Sequence, residues 1–64
     1  MPPPKTLPQR EKELQALLAT PAGREELQGL ESRYQAASGR LRPTSTSIIT
    51  YILVYEREQG LLHR

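Results

Sequence analysis

The 64-residue chain has no cysteine, no tryptophan and no phenylalanine, and it holds one histidine and one methionine. Without cysteine there is no disulfide framework and no thiolate to bind metal or attack a substrate, so a reducing compartment is compatible with the sequence. A long apolar run is also missing. Ile48–Tyr55 is the longest, and it is interrupted by Thr50. A membrane span needs ~20 apolar residues. The opening MPPPK lacks the apolar stretch of a signal peptide. The expectation is therefore a cytoplasmic protein with no membrane partner.

Catalytic chemistry has little to work with. His63 is the only histidine and stands next to last, where it reads as a solvated tail residue. One histidine without cysteine makes no zinc site of ordinary ligand type. The carboxylates Glu11/Glu13, Glu25/Glu26 and Glu56/Glu58 are one or two residues apart. Such neighbours do not share a helix face, so they read as solvated surface and not as acid–base pairs. The four glycines follow neither a phosphate-loop nor a dinucleotide pattern. No catalytic, cofactor-binding or metal-binding residue is assigned, and no small-molecule substrate is expected.

The residues that are present describe an all-α domain of three helices behind a disordered proline-rich tail, Met1–Lys5. In TLPQREKELQALLAT, Thr6 is a cap with Gln9 three residues on, and Pro8 falls in the first turn. Leu14, Leu17 and Leu18 follow helical spacing, with Leu7 two turns earlier, which predicts a first helix over 7–19. Thr20-Pro21 is a start signal and Gly39 a stop, so the second helix is expected over 21–38. Its narrow stripe is Leu27, Leu30, Tyr34 and Ala37. Gly23 lies on that side, where a neighbouring helix could come close. Gly29 points to the wet side, where it costs ~1 kcal/mol relative to alanine with no evident return.

The segment Ile48–Tyr55 is rich in strand-prone residues. Its apolar positions do not alternate, however, and a lone strand would leave backbone donors unpaired unless a second chain supplied the same strand. Gly60 followed by Leu61 suits a helix terminus in which Leu61 folds back toward Tyr55. The expectation is a third helix over 45–59, capped by Thr44, Ser45 or Thr46. Ile48, Ile52 and Tyr55 form its centre, Ile49 and Leu53 widen it, and Tyr51 and Val54 spill beyond it. A helix apolar nearly all round needs covering, and two short helices with thin stripes leave a surplus.

That surplus points to a protein partner, self or other. The expected interface residues are Tyr51, Val54, Tyr55 and Leu61. An unstapled domain of this size is also marginal alone, which favours a dimer.

A second reading concerns charge. The formal net charge is only +2, yet no acid lies between Glu31 and Glu56, while Arg33, Arg40 and Arg42 do. GRLRPTSTS brings two arginines to a hydroxyl-rich helix start, a combination suited to phosphate contact. The stretch TSTSIITYILVYEREQGLLHR resembles the recognition helix of winged helix-turn-helix DNA-binding domains over the last third of the chain. That resemblance implies that Ser45, Thr46, Ser47 and Thr50 face DNA, and that Gly60, Leu61 and Leu62 turn toward a wing. With Arg40 and Arg42 these make the candidate nucleic-acid set. The chain ends at Arg64, so no wing is expected to follow.

Overall fold

A computed structural model describes residues 4–63. Met1–Pro3 and Arg64 lie outside the described residues, and with them most of the expected tail. Three helices follow in order: α1 (Leu7–Leu17), α2 (Pro21–Ser38) and α3 (Ile48–Glu58). Each packs on both others.

The caps of α1 and α2 fall where the sequence places them. Thr6 accepts from the Gln9 N–H while the Gln9 side chain accepts from the Thr6 N–H, a reciprocal capping box. Thr20 accepts from the Gly23 N–H, with proline at the first helical position. Gly39, at φ 70°, closes α2 in the left-handed region. Gly23 is required for a different reason. A Cβ there would stand 2.1 Å from the Leu17 carbonyl oxygen. The end of α1 thus lies directly on the start of α2, and α1 stops two residues earlier than its pattern suggests.

The α3 start differs more. Its cap is Ser47, whose hydroxyl accepts from the Thr50 N–H. The expected start at Ser45 fails because Pro43–Thr46 forms a separate turn, closed by the Thr46 N–H on the Pro43 carbonyl. At the other end α3 stops at Glu58. The Leu61 N–H donates to the Glu56 carbonyl and the Gly60 N–H to that of Arg57, with Gly60 at φ 74°. This is the paired bonding of a Schellman motif. Leu61 does not fold back; it is exposed, and Leu62 enters the core instead.

The core is Leu14, Leu27, Tyr34, Ile49, Ile52, Leu53 and Leu62. Leu18 and Leu7, expected on the buried face of α1, are exposed, and so is Ala37. His63 is exposed, as a solvated residue should be, but its backbone is held. Its N–H donates to the Lys5 carbonyl at 2.8 Å, in a parallel bridge between Thr6 and His63. Lys5 also pairs with Glu13 through its ammonium group, so the end of the expected tail is held. Among the described residues, no helix is long and apolar enough to cross a membrane.

Candidate docking surface on α3

The buried side of α3 is Ile49, Ile52, Leu53 and Glu56. Helical spacing puts these four on one stripe, turned by one residue from the Ile48/Ile52/Tyr55 centre read from the sequence. Glu56 is therefore no solvated carboxylate. It is 4% exposed. Arg10 of α1 grips it as a fork, Nε to Oε1 at 2.8 Å and Nη2 to Oε2 at 2.9 Å. The Tyr34 hydroxyl of α2 donates to Oε2 at 2.6 Å. One carboxylate thus joins all three helices. Arg10 also reaches Glu13 at 3.2 Å.

The electrostatics follow from this geometry. The hydrogen bond to Glu56 holds the Arg10 guanidinium above its ordinary range, against the opposing effect of burial. Burial, then the hydrogen bond to Glu56, pushes the Tyr34 phenol up to about 12. Lys5, then Arg10, holds the Glu13 carboxyl below its ordinary range. Both Glu56 oxygens, all three Arg10 nitrogens and the Tyr34 hydroxyl are engaged within the cluster. Among the described residues, no group of three or more His, Asp or Glu side chains is placed to hold a metal ion.

The other side of α3 is open. Val54 is 49% exposed and forms a ridge between two grooves. One groove, about 350 Å³, runs along α1, with Leu7 and Leu18 on one wall, Thr50 and Val54 on the other, and Ile49 and Leu53 beneath. The second, about 230 Å³, lies toward the end of α2 and is lined by Arg40, Tyr51, Tyr55 and Glu58. Tyr51 and Tyr55 are partly buried. The Tyr51 hydroxyl donates to the Arg40 carbonyl at 2.9 Å, and the Tyr55 ring stacks on Tyr34 with centroids 4.1 Å apart. Three of the four expected interface residues, Tyr51, Val54 and Tyr55, therefore line one surface. Leu61, exposed beyond the helix end, lines neither groove. Sequence reasoning missed Leu7 and Leu18 as a groove wall, having assigned them to the core; nothing in their spacing separates the two outcomes.

The candidate nucleic-acid residues are less free than the sequence suggests. Arg42 forms an ion pair with Glu31 of α2 and donates from Nη1 to the Thr46 carbonyl at 2.7 Å. Ser47 is spent as the cap, and its hydroxyl also donates to that of Thr50 at 2.9 Å. Thr46 is half-buried, whereas Arg40, Ser45 and Thr50 are exposed. No protein-family model, no curated protein and no solved structure matches the chain.

Proposed function

We propose that the chain is a non-enzymatic, cytoplasmic interaction module that self-associates through the Val54 surface of α3. The observation that carries this reading is the exposed apolar ridge with a groove on either side. A ridge flanked by grooves is the surface that a second copy of itself complements, each ridge seating in a groove of the other about a two-fold axis that lies between ridge and groove. The small core supports the same reading. Among the described residues the largest fully buried side chains are Leu14, Leu27 and Ile52, and an unstapled domain of this size gains from a shared apolar surface. The nucleic-acid alternative has less support, because Arg42 is engaged by Glu31 and, among the described residues, Arg40 alone of that pair has no side-chain partner.

Sedimentation over a dilution series tests this. The expected result is a concentration-dependent mass that moves toward twice that of the single chain. Val54→Glu should hold the chain as a monomer while keeping its helical circular dichroism, since the side chain is at the surface. A single-chain mass at every concentration into the millimolar range would overturn self-association.

A further inference from the structure

The turn before α3 has a feature that the docking reading does not use. Pro43–Thr46 projects an exposed hydroxyl at Ser45. Ser45 does not cap the helix; Ser47 does. Arg42 stands three residues before Ser45 and Arg40 five before, and Glu31 is the nearest acid upstream in sequence. Residues 40–43 have no helical or strand structure, so the segment can lie extended in another protein's cleft once the Tyr51 hydroxyl leaves the Arg40 carbonyl and the Pro43–Thr46 turn opens. Two arginines two residues apart then project to the same side of the extended chain, and each guanidinium can engage a carboxylate pair through its fork.

We propose that Ser45 is a phosphate acceptor for an arginine-directed protein kinase, one whose substrate cleft carries carboxylates for arginines three and five residues before the acceptor. The γ-phosphoryl group of ATP passes to the Ser45 Oγ, ADP leaves, and the hydroxyl proton goes to the kinase's catalytic aspartate. The other hydroxyls are less suited. Thr46 is half-buried, Ser47 is bonded to the α3 backbone, and exposed Thr44 has its arginines two and four residues away. The structure adds a condition that spacing alone lacks. Arg42 is held by Glu31 and by the Thr46 carbonyl, so the kinase must draw it off Glu31, and that ion pair slows the modification.

The test is to treat the folded chain with the catalytic domain of such a kinase and ATP, and to locate the phosphate by fragmentation mass spectrometry. One phosphate on Ser45 is expected, and none with Ser45→Ala. Arg40→Ala, a change at an exposed side chain, should lower kcat/KM at least tenfold without affecting the fold. Glu31→Gln should raise it severalfold by freeing Arg42. No incorporation, phosphate at Thr44, Thr46 or Ser47 in place of Ser45, or a rate indifferent to Arg40→Ala would overturn the assignment. An unchanged or lower rate with Glu31→Gln would overturn the restraint by that ion pair.

Discussion

Arg10→Met is the substitution that most directly probes how the three helices are held. It removes the fork from Glu56 and leaves a carboxylate 4% exposed with only the Tyr34 hydroxyl. Removing one partner of a buried ion pair costs about 3–5 kcal/mol. The Arg10 side chain is itself 21% exposed, so part of that interaction is already screened and the low end, about 3 kcal/mol, applies. A domain of this length has a total stability of roughly 3–10 kcal/mol. At about 4–8 °C per kcal/mol for a small domain, the melting temperature should fall by about 12–24 °C. Glu56→Leu alone should cost less, about 1–3 kcal/mol, because Arg10 keeps Glu13 and can turn to water, leaving chiefly the Tyr34 hydroxyl unpaired. The double variant Arg10→Met/Glu56→Leu should recover much of the Arg10→Met loss, since apolar replacement of a buried pair is often neutral. Urea denaturation followed by circular dichroism and tyrosine fluorescence measures all four proteins. If Arg10→Met costs under about 1 kcal/mol with an unchanged m-value, or if the two losses simply add, Glu56 is not the joint described above.

Alkaline titration should show Tyr34 ionising near pH 12 by absorbance. Its folded value is raised, so its contribution to stability is complete below the ordinary phenol range and is lost as pH rises through about 12; denaturation at pH 9, 11 and 12 follows this, and Tyr34→Phe should remove the dependence. Conversely, Glu13 is held low by Lys5 and Arg10, so its contribution is present above the ordinary carboxylate range and is lost on acidification through its lowered value. Glu13→Gln should flatten that acid limb of the stability curve. Gly23→Ala should cost about 2–3 kcal/mol or more, because its methyl meets the Leu17 backbone and not a side chain that can yield. Thermal melts check it against Gly29→Ala, which meets nothing within 4 Å and should stabilise by up to about 1 kcal/mol.

Local signals account for what was readable in advance. Thr6, Thr20 and Gly39 act through bonds to residues three or four away, so a short window contains the whole cause. The start of α3 was ambiguous because Thr44–Ser47 offers four successive hydroxyls, and the turn closed on Pro43 decides among them. Glu56 was misread because its partners are remote. Arg10 is 46 residues away and Tyr34 is 22, and no local pattern joins them. One signal was available: Glu56 follows Ile49, Ile52 and Leu53 on a single helical stripe. Taking that stripe as the buried one would have placed a carboxylate in the core and called for a cation. The docking residues were half legible. Val54 is exposed because it lies opposite that stripe, whereas the exposure of Leu7 and Leu18 depends on how α1 leans across α3.

The pairing of Thr6 with His63 marks the place where a staple would do most for this cysteine-free chain. The bridge is isolated, outside any strand, and backbones paired in this way run about 4.8 Å apart, within the span a disulfide accepts. Thr6→Cys with His63→Cys would tie off nearly the whole polypeptide as one covalent loop, against a loss of about 1 kcal/mol for the Thr6 cap of α1. By the chain-entropy model, a ring of that length removes about 4 kcal/mol of freedom from the unfolded ensemble, on the scale of the domain's own margin.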